Sequence, residues 1–72
     1  MTKINLKNVV WKEGRYYVSW NLNTDISSFG NSKKDALANL KEALELYFED
    51  VKSPKIVNIE NPELAKTSLC YA

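Results

Sequence analysis

The sequence predicts one α+β domain, with element order β-β-β-α-β, in which a single helix packs on one face of an antiparallel sheet. Residues 4–29 hold three short runs rich in β-branched and aromatic side chains, separated by turn residues. Residues 33–50 then repeat apolar side chains every three or four positions, which is the period of a helix covered on one side. A last alternating run, at residues 66–72, predicts the final strand.

The first two strands are predicted at residues 4–11 and 15–22, with Lys12, Glu13 and Gly14 between them. Gly14 supplies the positive φ that a short hairpin loop needs. Alternate residues of the second strand form a more apolar and a more polar set. The apolar set is expected to be the core face: Tyr16, Val18, Trp20 and Leu22. The opposite, partly bare face would then carry Tyr17, together with Trp11 and Phe29.

A turn at residues 23–25 leads into a predicted third strand at residues 26–29, and such short connections favour an antiparallel meander. Gly30 ends the strand pattern. Ser32 is a good N-cap, and Asp35 stands where a capping box places an acid. The helix should run from about Lys33 to about Asp50. One broad apolar stripe should face the sheet: Ala36, Leu37, Leu40, Ala43, Leu44, Tyr47, Phe48 and Val51.

Length and composition indicate a single domain spanning residues 1–72, with 44% hydrophobic and 26% charged residues and a net charge of +1. A chain this short buries only about 60% of the surface that it exposes when unfolded. Association with a second subunit would therefore stabilise its fold. Its one cysteine, Cys70, cannot form an intramolecular disulfide and is expected to be buried at a strand end. No signal peptide or membrane span is evident, which favours a cytoplasmic protein.

The residue inventory argues against an enzyme. Histidine, the commonest general base and metal ligand, is absent, and one cysteine cannot build a structural zinc site. Two glycines are too few for a glycine-rich phosphate loop. Asp25, the one carboxylate near a strand, is expected to cap a turn. We therefore predict a non-catalytic protein without a cofactor or a bound metal.

The predicted helix carries its charges against its own dipole. Lys33 and Lys34 lie at its positive start, while Glu45, Glu49 and Asp50 lie at its negative end. Each such exposed charge costs roughly 0.3–1 kcal/mol at low salt, which is small enough to be tolerated without a functional reason. The alternative is that the acids serve a partner. The candidate partner-binding residues are Glu42, Glu45, Glu49 and Asp50.

A second charged region lies on the first hairpin. Its basic residues are Lys3, Lys7, Lys12 and Arg15, and with Trp11 and Tyr17 they could form a small basic and aromatic patch that binds single-stranded RNA. Lysines on strand edges also serve simply to discourage aggregation, which is the plainer interpretation of this cluster.

Residues 9–51 resemble the short HicB-like antitoxin family. The resemblance rests on the strand 17–20 (YVSW), on Gly30, and on the helix motif Asp35–Tyr47, whose sequence is DALANLKEALELY. Its core, residues 39–43, is more specific than amphipathicity alone requires. The chain departs from the family pattern at Leu22, where a proline is common, at Asn23 and Thr24, and at Asp35, where glutamate is usual.

The resemblance implies a partial ribonuclease-H-like fold that has lost catalysis. It also implies a role as an antitoxin that masks a HicA-like toxin, a small basic ribonuclease that cleaves messenger RNA. Full-length relatives often carry a C-terminal DNA-binding domain, which the sequence given does not contain, so promoter binding is not implied.

Three hypotheses follow for function. The chain is an inhibitory antitoxin, a free-standing oligomeric interaction module, or a small RNA-binding protein that uses its basic hairpin. Because the predicted core is small and one sheet face is bare, a homodimer or a higher homo-oligomer is expected under any of them.

Overall fold

The structure, a computed structural model, describes residues 4–70. Three strands, β1 (Asn8–Glu13), β2 (Tyr16–Asn21) and β3 (Ser27–Gly30), are followed by one helix, α1 (Lys33–Asp50). The strands form an antiparallel sheet in the order β1-β2-β3, and α1 packs on one face of it. The predicted α+β class, with a meander followed by a helix, is therefore confirmed.

The β1–β2 hairpin closes through a two-residue loop. Glu13 pairs with Tyr16, so the loop consists of Gly14 and Arg15, whereas the sequence predicted a three-residue loop at residues 12–14. Gly14 has φ 64°, and glycine at the first loop position is typical of type II′ turns. This turn sets a register in which Val9 opposes Trp20 and therefore shares a sheet face with it.

The ends of α1 are defined by capping contacts. Ser32 Oγ accepts a hydrogen bond from the backbone N–H of Asp35 at 3.1 Å, as an N-cap residue does. At the other end the N–H of Val51 reaches the carbonyl of Tyr47 at 3.1 Å, and the chain then becomes extended. Both predicted helix boundaries are confirmed.

The helix packs on the face of β2 that the sequence analysis took for the outer one. Ser19 is completely buried, and its Oγ donates a 2.7 Å hydrogen bond to the carbonyl of Ala36 in the first turns of α1. Tyr16 and Trp20, predicted to be in the core, are exposed on the opposite face. The reason is steric, because only two residues separate β3 from α1 and the helix must therefore start close to the sheet.

Gly30 occupies the closest point of this approach. A Cβ built there would lie 2.6 Å from the backbone nitrogen of Ala36 and 2.7 Å from the Cβ of Asp35. Small residues at positions 19, 30 and 36 thus select the face on which the helix can lie, whereas bulky aromatic side chains would hold it away.

The core is small because one helix covers only part of a three-stranded sheet. Among the described residues, three apolar side chains are buried, Ala36, Leu40 and Leu44, and all belong to the predicted helix stripe. Most of the other stripe members are half-buried, and Leu37 is exposed. Asn39 adds a polar tie, since its Nδ2 donates to the carbonyl of Phe29 at 2.8 Å. That contact gives the motif asparagine a role at the free edge of β3.

Two buried asparagines organise the turn after β2. Asn21 Nδ2 donates to Asn8 Oδ1 at 2.7 Å, and Asn21 Oδ1 accepts from the N–H of Thr24 at 2.9 Å. Asn23 Oδ1 accepts from the N–H of Lys7 at 2.8 Å. The turn also contains Asp25 at φ 64°, whose backbone N–H donates to the carbonyl of Asn21 at 2.9 Å.

Asn23 also holds the segment that follows the helix. Its Nδ2 donates to the carbonyl of Val57 at 2.7 Å. The backbone carbonyl of Asn23 accepts from the N–H of Val57 at 2.8 Å. The start of β1, the β2–β3 turn and the chain after α1 therefore meet at one buried side chain.

Residues 58–70, here called the C-terminal tail, contain no helix or strand. The predicted last strand is therefore wrong over residues 66–70, while Tyr71 and Ala72 lie outside the described residues. Leu64 and Leu69 are 96% and 82% exposed, and Cys70, expected to be buried, is exposed as well. The radius of gyration, 14.4 Å, exceeds the roughly 11 Å of a compact chain of this length, in keeping with a tail in which Ile59 alone is half-buried and the other described residues are exposed.

Replacing Gly30 with alanine should lower the free energy of unfolding by about 1–3 kcal/mol, because the added methyl group meets backbone atoms that cannot move aside. Urea denaturation followed by circular dichroism measures the change. Asn31→Ala, at the exposed neighbouring position, is the control and should change stability by less than about 0.5 kcal/mol. A Gly30→Ala protein as stable as the wild type would contradict the close approach.

Replacing Asn23 with alanine should cost about 1–3 kcal/mol, because the N–H of Lys7 and the carbonyl of Val57 lose their side-chain partner. Amide hydrogen exchange should show faster exchange at Lys7 in this variant. Asn5→Ala, at an exposed position, should change stability by less than about 0.5 kcal/mol. Equal effects of the two substitutions would show that the hydrogen bonds of the Asn23 side chain do not stabilise the fold.

Candidate protein-binding surfaces

An open groove of about 1100 Å³ runs between the chain entering β1 and the second half of α1. Its floor is apolar, formed mainly by Ile4, Leu6, Leu44 and Phe48, and Lys41 and Leu46 complete the lining. Three carboxylates, those of Glu42, Glu45 and Glu49, stand along it. We call this surface the acidic groove.

Helical spacing brings these three acids together. Positions 42, 45 and 49 are separated by three and four residues, so they lie on one side of α1, and all three are exposed. Asp50, the fourth predicted contact, is exposed but does not line the groove. The last turn of α1 holds no basic residue, so the negative end of the helix dipole adds to the field of Glu45 and Glu49.

The sheet face opposite the helix is a second surface. It is lined by the large apolar residues Val9, Trp11, Tyr16, Val18, Trp20 and Phe29, and we call it the aromatic face. Phe29 is 66% exposed and packs edge-on against Tyr16, with ring centroids 5.8 Å apart. Of the predicted bare-face residues, Trp11 and Phe29 do lie here, whereas Tyr17 is half-buried on the helix side.

The structure separates the residues of the predicted basic patch. Lys12 is paired with Tyr17 on the helix side of the sheet, while its neighbour Trp11 points to the aromatic face. Arg15 lies in the hairpin loop and is exposed, and Lys3 lies outside the described residues. Lys12 and Tyr17 thus share one face of the sheet while Trp11 lies on the other, so the described members of the patch do not all form one surface.

Sequence reasoning missed the floor of the acidic groove and placed half of the aromatic face in the core. Ile4 and Leu6 precede β1 and follow no pattern that links them to the helix. The orientation of β2 could have been inferred from size rather than polarity. Ser19 and Gly30 are small residues close to a helix start, where small residues permit close packing.

Among residues 4–70, no three side chains of the metal-binding types lie close enough to hold an ion. In that same part of the chain, no helix combines the length and the apolar character that crossing a membrane requires. Comparisons with protein-family models, with curated proteins and with solved structures find no match to the chain.

Replacing Trp11 with alanine should leave the affinity for a single-stranded RNA such as oligouridylate within about twofold, because the ring faces away from Lys12. Fluorescence anisotropy with a labelled oligonucleotide measures this. Lys12→Ala and Arg15→Ala are the companion variants, which test simple electrostatic attraction through its dependence on salt. A loss of tenfold or more in Trp11→Ala would indicate base stacking and favour the RNA-binding hypothesis.

Proposed function

We propose that this protein is a HicB-like antitoxin module that binds a small basic HicA-like ribonuclease and blocks it by covering its active site. The observation that carries the proposal is an overlap. The helix segment that resembles the family, Asp35–Tyr47, supplies two of the three acids of the acidic groove and part of its floor.

The groove has the composition expected of a protein-binding site. An apolar floor provides affinity through buried area, and a charged rim favours the correct partner and speeds its approach. The exposed acids and the negative end of the helix dipole together attract a partner with a positive surface. A basic ribonuclease, which must bind the phosphates of RNA, presents such a surface.

This role also gives the unfavourable charge placement on α1 a use. Acids at the end of a helix cost a little stability in the free protein, but the same placement strengthens the potential that a cationic partner meets. The effect is on encounter and selectivity more than on total affinity, because exposed charge pairs contribute little each. The proposed role requires no catalytic group in this chain.

Reversing the charge at two groove positions, with Glu45→Lys and Glu49→Lys combined, should weaken binding of the basic toxin by about tenfold or more at low salt. The partner to test is the product of the adjacent gene, co-expressed and purified with this chain. Isothermal titration calorimetry at about 0.05 M and about 0.5 M salt separates the electrostatic part of the affinity, because the higher salt screens exposed charges.

Glu60→Lys and Glu63→Lys form the matched control, because they change the net charge equally but lie in the C-terminal tail. Measured at the same two salt concentrations, they should weaken binding several-fold less than the groove pair does. Equal weakening by both pairs would show that net charge matters and the groove does not. Failure of the neighbouring product to co-purify, or to arrest growth when expressed alone, would favour a free-standing interaction module instead.

A further inference from the structure

The aromatic face is a large apolar surface that nothing in the described chain covers. Four aromatic side chains lie on it, Trp11, Tyr16, Trp20 and Phe29, with 37–66% of each exposed. Since such a side chain offers about 150–250 Å² when fully buried, the exposed aromatic surface is on the order of 400 Å². Val9, also exposed, adds to it.

We propose that this face is the interface with a second copy of the same chain, with the two sheets packed face to face and the helices outside. The area fits such an interface. Two copies bring on the order of 800 Å² of aromatic surface, and a stable interface of about 1,200–2,000 Å² has about 60% of its area apolar. The aromatic faces alone therefore meet most of the requirement.

The charge of the face argues for a copy rather than for a charged partner. Among the paired strand residues, Glu13 at the hairpin end is the one carrying a formal charge whose register places it with the aromatic residues. A surface with so little charge offers no complement to a basic protein or to a nucleic acid. Its best complement is another apolar sheet, and a twofold axis supplies one with the same residues.

The geometry of the sheet is also suitable. Packed sheets lie about 10 Å apart, which leaves room for interleaved aromatic side chains from both partners. The connections between its strands are short, a two-residue hairpin loop and a five-residue turn at residues 22–26. In this arrangement α1 and the acidic groove of each copy remain on the outside, so that a dimer would present two grooves.

Both tryptophans of the chain, Trp11 and Trp20, lie on the proposed interface, which provides a direct test without mutation. Analytical ultracentrifugation of the full chain should show a dimer that dissociates on dilution. Tryptophan emission should shift to longer wavelength over the same concentration range, as the rings become hydrated. A monomer at every concentration, or dissociation without a change in emission, would overturn the proposal.

Phe29→Glu is the variant that tests the face itself, because Phe29 is its most exposed member. It should raise the dissociation constant of the dimer more than tenfold while circular dichroism remains that of the folded protein. If the variant unfolds, Phe29→Thr makes the same test with a residue suited to strands.

Leu64→Glu is the matched control, because it introduces the same charge at a leucine that is 96% exposed in the C-terminal tail. It should leave the dimer intact. Dissociation by Leu64→Glu, with Phe29→Glu still dimeric, would assign self-association to the tail and refute the proposal. Toxin binding per chain should survive Phe29→Glu, so that failure of the dimer and failure of the antitoxin role are separate results.

Discussion

The contact between the first turns of α1 and the middle of the sheet determines where the rest of this domain lies. Ser19, Gly30 and Ala36 meet there with almost no side-chain volume between the two backbones. Because the helix is held so close, the polar side of β2 becomes the inside and its aromatic side the outside. The small core, the open groove beside β1 and the uncovered aromatic face are all consequences of this one approach.

The extent to which the fold could be predicted follows from the kind of signal involved. The helix boundaries were clear because a capping serine and a strict apolar period both mark them, and Gly14 lies in both the predicted and the observed hairpin loop. The prediction of which face of β2 is buried was wrong because it considered the hydrophobicity of the side chains and not their volume. A buried serine that bonds to a helix carbonyl cannot be recognised from strand alternation alone. The last strand failed because alternation at residues 66–70 does not itself provide a neighbouring strand.

The candidate surfaces were predictable to different degrees for the same reason. Glu42, Glu45 and Glu49 share a helix face by spacing alone, so the sequence located them together. The apolar floor beneath them comes partly from Ile4 and Leu6, which are distant in sequence. The grouping of Trp11 with Lys12 failed because neighbouring strand residues point to opposite faces. Local periodicity thus predicts which side chains are neighbours within an element, but not what a second element brings to them.

The hydrogen bond from Ser19 to α1 has a further consequence, which concerns how this fold can vary among related sequences. The acceptor is the main-chain carbonyl of Ala36, and every residue type possesses that group. Any other small residue at position 36 would keep this acceptor, so its substitution would require no compensating change at position 19. Correlated substitutions, which often reveal contacts between distant positions, would carry no record of the contact that orients this helix. The contact would instead be visible as a restriction to small residues at position 19 and, independently, at position 36.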